Sequence, residues 1–275
     1  MSPFRASAGF TERWEQFGYV ERDGVATVTF DRPERLNALT FDVYADLRDL
    51  LAELPHREGV RVLVLTGAGR GFCSGGDVHE IIGALRGAGA RELLDFTRMT
   101  GAVVQRLREL PLPVIASVNG VAAGAGAVIA LAADFRLLAR SASFAFLFTK
   151  VGLAGADMGA AYLLPRLVGL AKATELLLLG DRLDADQAAA AGLANQVVDD
   201  GELRAATAAL AGRLAGGPTL ALGATKALLS RELDLNLAGA VELEAVTQAL
   251  MMTSADHAEF HAAFTEGREP RWTGR

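Results

Sequence analysis

The sequence repeats one pattern that constrains the fold more than any other feature: an apolar strand, a glycine-rich loop and then a helix. Residues 60–66 (VRVLVLT) form the first apolar run, and residues 67–77 contain five glycines before a helix that begins near Val78. About fifty residues later, residues 113–118 (PVIASV) and the Gly/Ala-rich residues 119–126 repeat this order. Apolar strands that alternate with helices are typical of a sheet buried between helices. The repetition therefore predicts an α/β core.

Other segments extend this core along the chain. The predicted strands are a hairpin over residues 19–30 and single strands over 135–138 and 143–148; the predicted helices are 37–54, 91–109 and 127–133. We expect helix 91–109 to bury Leu94, Met99, Val103 and Leu107, together with Leu110 just beyond its end. No linker rich in Pro or Ser appears, so we predict one α/β core with a helical C-terminal region from about residue 200.

Charge and composition argue against several classes of protein. The chain carries 27 Lys and Arg against 33 Asp and Glu, with no basic run, so nucleic-acid binding is not expected. The longest stretch of low polarity, residues 121–133, is shorter than the ~20 residues that span a bilayer. Glu12 and Glu15 precede any apolar run, unlike in a secretory signal. The single cysteine, Cys73, cannot form an internal disulfide, which favours the cytoplasm.

The first glycine loop raises the question of a dinucleotide site. Residues 66–71 (TGAGRG) follow a strand, as a dinucleotide-binding loop does, but the third glycine of that fingerprint is missing. A short-chain dehydrogenase would also need a Tyr-x-x-x-Lys pair, whereas Tyr162 is followed four residues later by Arg166. The sequence therefore gives little support to an oxidoreductase.

The glycine loops suggest instead a site for negative charge. Gly75 and Gly76 lie in the first loop, and Gly124 and Ala125 lie in the second. A loop that enters a helix presents unpaired main-chain N–H groups, and the helix dipole adds partial positive charge. Two N–H donors that converge on one oxygen would form an oxyanion hole, for which an enolate is the natural occupant. Each loop taken alone is also compatible with an ordinary tight turn.

Three segments carry a resemblance to a known family. Residues 31–39 (DRPERLNAL), 71–77 (GFCSGGD) and 118–126 (VNGVAAGAG) resemble, in this order, signatures of the crotonase superfamily, the enoyl-CoA hydratase/isomerase group. The similarity continues to the C-terminal helix near Phe264. It implies a crotonase-like spiral of repeated ββα units over residues 1–200 and a helical oligomerisation region over 201–275. It also implies a homotrimer or a dimer of trimers that acts on an acyl-CoA thioester, with coenzyme A as part of the substrate and no separate cofactor.

The resemblance also assigns roles to single residues. It makes the main-chain N–H groups of Gly76 and Ala125 the oxyanion donors. It assigns further substrate contacts to Gly75 and Gly124 beside these donors, to Arg35 at a CoA phosphate, to Ser74 at the adenine pocket and to Phe264 at the CoA of a neighbouring subunit. No metal is expected, because His257 and His261, although four residues apart, belong to no metalloprotease motif.

The acid/base residues differ from those of two-glutamate hydratases. Val128 and Phe148 occupy the positions of the two carboxylates and offer no proton, so we expect both to contact substrate instead. Asp157 aligns with an acidic residue that dienoyl-CoA isomerases use in proton transfer; alternatively, it caps the following helix. Phe144, Phe146 and Phe148 alternate along a predicted strand and would raise the pKa of Asp157 by excluding water, although the first two are equally compatible with ordinary core packing.

These residues favour an acyl-CoA enzyme of the enoyl-CoA hydratase/isomerase type that works through a thioester enolate. They favour double-bond isomerisation in particular, because one group can take and return a proton. Hydrolysis or lyase chemistry on a CoA thioester remains open. So does a non-catalytic CoA-binding or assembly subunit, because Val128 and Phe148 replace the carboxylates. His79 follows the first glycine loop and is expected to be a solvated side chain rather than a second base.

Overall fold

The strands form two sheets. The computed structural model describes residues 9–275, so residues 1–8 of the predicted core lie outside the described residues. The strands are β1 (Gly18–Arg22), β2 (Val25–Phe30), β3 (Val62–Gly67), β4 (Gly71–Cys73), β5 (Val114–Val118), β6 (Val121–Ala123), β7 (Phe135–Ala139), β8 (Ser143–Ala145), β9 (Leu183–Asp184) and β10 (Gln196–Val198). In the described part of the chain, a larger sheet has the order β1-β2-β3-β5-β7-β10, and a smaller sheet has the order β4-β6-β8-β9.

Helices connect the strands and form most of the C-terminal part. They are α1 (Phe41–Glu53), α2 (Gly83–Leu85), α3 (Ala90–Glu109), α4 (Ala125–Ala132), α5 (Ala160–Val168), α6 (Leu170–Leu179), α7 (Ala185–Ala190), α8 (Leu203–Ala215), α9 (Thr219–Arg231), α10 (Leu237–Met251) and α11 (Ala255–Glu266). A π-helical turn, Val78–Ile82, precedes α2, and a 3-10 turn, Thr149–Val151, follows β8. Within residues 9–275, every helix is too short or too polar to cross a membrane.

Consecutive strand pairs explain the repeated sequence pattern. β3, β5 and β7 lie side by side and parallel in the larger sheet. The strands that follow each of them, β4, β6 and β8, lie side by side and parallel in the smaller sheet. Helices follow each pair along the chain. This arrangement is a spiral of ββα units, so the predicted fold class is confirmed.

The predicted loops and one predicted strand need correction. β4 and β6 lie inside residues 67–77 and 119–126, which the sequence predicts as loops. Each of these strands is 3 residues long, too short for a recognisable alternation. The predicted strand 143–148 is wrong at its end, because β8 stops at Ala145. Phe146 and Phe148 therefore lie beyond the strand and do not share a strand face with Phe144.

The predicted buried face of α3 is right only for the second half of the helix. Val103 and Leu107 are buried and Met99 is half-buried, but Leu94 is 45% exposed. The fully buried positions of α3 begin at Thr100, and in the first half of the helix Phe96 and Met99 pack against the core while Leu94 does not. The prediction for Leu94 is wrong because periodicity shows the direction of an apolar face but not whether another element covers it.

The C-terminal helices differ in their contact with the core. α8 packs on the larger sheet, where the Ser117 and Thr207 hydroxyls lie 2.8 Å apart and share a hydrogen bond. By contrast, α10 has no buried side chain. The predicted division at residue 200 falls just before α8. The predicted role of residues 201–275 in oligomerisation stays a prediction.

Candidate active site

Two glycine loops meet at one end of the smaller sheet. The first follows β4 and the second follows β6, and these strands are parallel neighbours. Gly75 has a φ of +98°, a backbone conformation that glycine adopts easily and that is strained in residues with a side chain. A Cβ atom on Gly75 would lie 3.0 Å from the Ala123 carbonyl oxygen and 3.4 Å from the Ala125 nitrogen. The loops are therefore in direct main-chain contact, and Gly75 permits the close approach.

Within the described part of the chain, two main-chain N–H groups at this contact have no hydrogen-bond partner. Neighbouring main-chain groups do form hydrogen bonds. Leu39 N–H donates to the Gly75 carbonyl at 2.8 Å, and Gly124 N–H donates to the Ala145 carbonyl at 2.9 Å. Among residues 9–275, the N–H groups of Gly76 and Ala125 donate no hydrogen bond. Ala125 is the first residue of α4, and the first N–H groups of a helix lack intrahelical acceptors. Ala125 thus presents an unpaired donor at the N-terminus of α4, and Gly76 presents a second one in the adjoining loop, an arrangement suited to an anion.

The buried helix α4 holds the second loop in place. All 8 residues of α4 are buried, which confirms the predicted central helix. Gly126 lies so close to the Cys73 main chain that a Cβ atom there would collide with the Cys73 carbonyl. Burial raises the pKa of the Cys73 thiol to about 12, so this thiol stays protonated near neutral pH and is a poor nucleophile.

Two asparagines that the sequence interpretation overlooked fix the loop that precedes the first donor. Asn37, almost fully buried, donates from Nδ2 to the carbonyls of Ala68 and Gly71, at 2.9 and 2.7 Å. Asn119 donates from Nδ2 to the Gly71 carbonyl at 3.1 Å and accepts the Gly67 N–H at the same distance. Both residues lie inside the segments that carry the family resemblance. Their position inside these segments is the sequence signal from which a role at the site could have been predicted.

The structure brings two of the predicted CoA contacts together. The Ser74 hydroxyl donates to the Arg35 carbonyl at 3.2 Å. The Arg35 side chain is exposed and forms no ion pair within the described residues, so its charge is accessible. Phe264 lies instead on α11, where it is 78% exposed and its ring lies 6.1 Å from that of Phe260.

The positions of the two missing carboxylates are apolar. Val128 is completely buried within α4. Phe148 is also buried and immediately precedes the 3-10 turn. Phe144 and Phe146 are fully buried, as ordinary core residues are. Neither of these two positions therefore provides a carboxylate for proton transfer.

Asp157 lies half-buried in the segment before α5. Its carboxylate accepts a hydrogen bond from the Met158 N–H at 2.8 Å, outside the helix. The Ala160 N–H of α5 donates instead to the main-chain carbonyl of Asp157, and Gly159 is the N-cap residue. The carboxylate therefore does not cap the helix, contrary to the alternative that the sequence left open. Burial raises the pKa of Asp157, and the Met158 N–H offsets this only in part.

Other candidate groups near the loops have structural roles. The Asp77 carboxylate accepts the N–H groups of His79 and Glu80 and lies 3.3 Å from the Arg32 guanidinium. The bond from the Glu80 N–H is the main reason that the pKa of Asp77 is lowered. His79 is exposed. Among residues 9–275, no three His, Cys, Asp or Glu side chains group closely enough to hold a metal ion.

Comparison with known proteins places this arrangement in a family. The sequence pattern of the family called enoyl-CoA hydratase/isomerase matches residues 20–275. The chain is 42% identical over 257 residues to 1,2-epoxyphenylacetyl-CoA isomerase of Escherichia coli K12, covering 94% of this chain and 97% of that protein. It is 40% identical to a Rhodobacter capsulatus protein described as an enoyl-CoA hydratase, with coverage of 94% and 97%. The crystal structure of a Streptomyces coelicolor A3(2) protein described as an enoyl-CoA hydratase superimposes with a TM-score of 0.97, at 62% identity and full coverage of both chains.

The ββα spiral and these matches define a member of the crotonase superfamily. The chain belongs to the enoyl-CoA hydratase/isomerase family. It is an acyl-CoA-processing enzyme of that type, as the sequence predicts.

Proposed function

We propose that the main-chain N–H groups of Gly76 and Ala125 bind the thioester oxygen of an acyl-CoA and stabilise it as an enolate. The observation that carries this proposal is that both donors lack partners among residues 9–275, at a direct contact between their loops. The N-terminus of α4 adds partial positive charge on the side of Ala125. In other enzymes, removing one such donor costs roughly 3 to 4 kcal/mol of transition-state stabilisation. The two N–H groups therefore stabilise the negative charge that develops on the thioester oxygen during the reaction.

Asp157 moves the proton. As a carboxylate, it removes a proton from C2 of a 3-enoyl-CoA, and the electron pair moves onto the thioester oxygen to form a dienolate. The same group then returns the proton to C4, which gives the conjugated 2-enoyl-CoA without net gain or loss of atoms. A half-buried carboxyl with a raised pKa exchanges protons near neutral pH more readily than an exposed one.

Isomerisation fits the site better than hydration. Hydration needs a group that activates water as well as a proton donor, and Val128 and Phe148 supply neither. Asp157 would then have to perform both steps. One carboxyl is sufficient for isomerisation, because the proton that it takes is the proton that it returns.

The remaining parts of the proposal concern binding and assembly. Arg35 and Ser74 contact the CoA moiety, Gly75 and Gly124 line the thioester site, and Val128 and Phe148 contribute to the apolar surroundings of the acyl group. We propose no separate cofactor, a cytoplasmic location, and a homotrimer or a dimer of trimers in which Phe264 meets the CoA of a neighbouring subunit. The apolar side chains exposed on α10 and α11 support such an assembly.

The test is turnover of a 3-enoyl-CoA and a 2-enoyl-CoA by the wild type, Asp157→Asn and a control, Asp181→Asn. Asp181 is exposed and pairs with Lys150. We expect the wild type and the control to isomerise 3-hexenoyl-CoA and Asp157→Asn to lose this activity. Hydration of the 2-enoyl-CoA that outpaces isomerisation would contradict the proposed reaction. Negligible wild-type rates with intact CoA binding would indicate a non-catalytic CoA-binding subunit.

A further inference from the structure

Arg136 is a buried cation that contacts the C-terminal end of helix α4. The residue lies in β7 and is only 5% exposed. Its Nη1 donates to the carbonyl oxygens of Ala133 at 2.5 Å, Leu131 at 3.3 Å and Ala130 at 3.5 Å. The last carbonyl groups of a helix lack intrahelical donors and carry partial negative charge. The guanidinium therefore occupies the negative end of the helix whose opposite end carries the Ala125 N–H group.

The charge of Arg136 has no carboxylate partner among residues 9–275. Asp134 is the carboxylate whose charge acts on Arg136, but its oxygens lie 2.9 Å from the Lys226 nitrogen and 3.3 Å from the Arg108 guanidinium. Two other cations thus compensate Asp134. Burial lowers the pKa of Arg136 to about 10, so the guanidinium is still charged near neutral pH. Carbonyl dipoles, rather than a counterion, therefore stabilise a full positive charge at the end of α4.

A segment that is distant in the sequence fixes Arg136 in this position. The Arg136 Nε donates to the Leu193 carbonyl at 2.7 Å. The Asn195 side-chain oxygen accepts the Arg136 main-chain N–H at 2.8 Å, and the Asn195 N–H donates to the Arg136 carbonyl at 2.9 Å. Helix α4 has 8 residues, all of them buried, so its two ends lie about 12 Å apart. The charge is therefore held at a fixed distance from the N-terminus of α4.

We propose that the positive charge of Arg136 strengthens the oxyanion site through helix α4, which makes Arg136 a positioning residue that does not touch the substrate. This inference rests on the proposed function, which assigns the thioester oxygen to the N–H groups of Gly76 and Ala125. The charge offsets the negative end of α4 and adds positive potential at its N-terminus. At an effective dielectric constant of about 20, a unit charge about 12 to 15 Å away favours an enolate roughly six- to tenfold.

The test measures how strongly the enzyme stabilises a bound enolate. Acetoacetyl-CoA loses its C2 proton to the buffer to form an enolate, which has its own ultraviolet absorption band. Spectroscopic titration gives the pKa of the bound ligand in the wild type, Arg136→Gln and Arg136→Lys. Glutamine keeps a donor for the helix carbonyls without the charge, whereas lysine keeps the charge. At a fixed pH, we expect Arg136→Gln to lower the enolate-to-keto ratio roughly six- to tenfold and Arg136→Lys to stay within about twofold of the wild type.

Arg140→Gln is the matched control, because it removes a positive charge from an exposed residue that pairs with Asp186 and Asp199. It is expected to leave the ratio within about twofold, since solvent and salt screen an exposed charge. A purely structural role of Arg136 would lower the melting temperature of Arg136→Gln and leave the ratio unchanged. Equal ratios in the wild type and Arg136→Gln, or equal losses in the Gln and Lys variants, would overturn the inference.

A second variant, Asn195→Asp, leaves Arg136 in place and keeps the test decisive should Arg136→Gln fail to fold. The aspartate still accepts the Arg136 N–H and adds a negative charge beside that residue. Asn195 is exposed, so at the dielectric constant of water we expect the ratio to fall about 1.6-fold. An unchanged or higher ratio would refute the role of the charge. A wild type with no more enolate than free acetoacetyl-CoA would refute the proposed function, whereas enriched enolate that ignores these charges would refute this inference alone.

Discussion

At the scale of single residues, Asp157 connects burial to chemistry. Its carboxyl is half-buried in the segment before α5, and this partial loss of hydration raises its pKa. The proposed base is the ionised form. We therefore predict that kcat/KM for isomerisation falls as the pH decreases through this raised pKa, and that Asp157→Asn lowers the rate about 10²- to 10⁴-fold. A pH profile of both proteins checks this. An acidic limb that persists in the residual activity of Asp157→Asn would assign the titration to another group.

The same burial gives Asp157 an effect on stability that opposes its use as a base. Because the pKa is higher in the folded than in the unfolded chain, the folded protein binds this proton more tightly. The stabilisation is fully present below the unfolded pKa and is lost as the pH rises through the folded pKa. At neutral pH, we therefore expect Asp157→Asn to unfold at a higher temperature than the wild type while losing activity. A lower melting temperature would mean that the ionised carboxylate has a stabilising partner.

Gly75 is the residue where a single methyl group tests the contact between the loops. Its φ is +98°, and a Cβ atom would approach the Ala123 carbonyl oxygen to 3.0 Å. We predict that Gly75→Ala separates the loops and lowers kcat/KM by at least about tenfold, since the donors no longer fit one oxygen. Gly83→Ala is the matched control, because a Cβ atom on Gly83 meets nothing within 4 Å. Equal rates for the two variants would show that the close approach is not required.

At the scale of elements, buried amides hold the loops between short strands. Asn37 uses both Nδ2 hydrogens on carbonyl oxygens, so an aspartate there would place a carboxylate against two acceptors. We predict that Asn37→Asp lowers the free energy of unfolding by at least about 1 to 3 kcal/mol, the cost of buried groups left unpaired. Asn236→Asp is the control, because Asn236 accepts the Gly239 N–H at the exposed start of α10 and aspartate caps equally well. Urea unfolding should separate the variants; similar losses would contradict the role of Asn37.

The strands and helices differ in how well they could be predicted from the sequence. The hairpin, β3, β5 and the central helix α4 follow from strong local patterns of apolar residues, and the fold class follows from their order. The 3-residue strands β4 and β6 leave no such pattern, because their pairing depends on distant partners. The predicted burial of Leu94 on α3 is wrong because burial also depends on elements that are distant in the sequence. At the site, the glycine loops were predictable from composition, but the roles of Asn37 and Asn119 were not, since they depend on carbonyl groups that lie far away in the sequence.

At the scale of the whole molecule, several helices expose large apolar side chains that an isolated chain would leave in contact with water. Leu237, the first residue of α10, is 80% exposed, and Leu170, the first residue of α6, is 73% exposed. If residues 201–275 form the oligomer interface, Leu237→Asp should convert a trimer or hexamer into monomers, and Leu170→Asp should leave the assembly intact. Aspartate suits the first turn of a helix, so neither change should unfold the chain. A monomeric wild type in light scattering, or equal effects of both variants, would contradict this assembly.

The proposed function depends on where the thioester oxygen binds. The most direct measurement is a crystal structure of the enzyme with a bound acyl-CoA, such as crotonyl-CoA. The thioester oxygen is predicted to lie within about 2.7 to 3.1 Å of both main-chain nitrogens, those of Gly76 and Ala125. A thioester oxygen bound elsewhere, or in contact with only one of these nitrogens, would contradict the proposed stabilisation of the enolate.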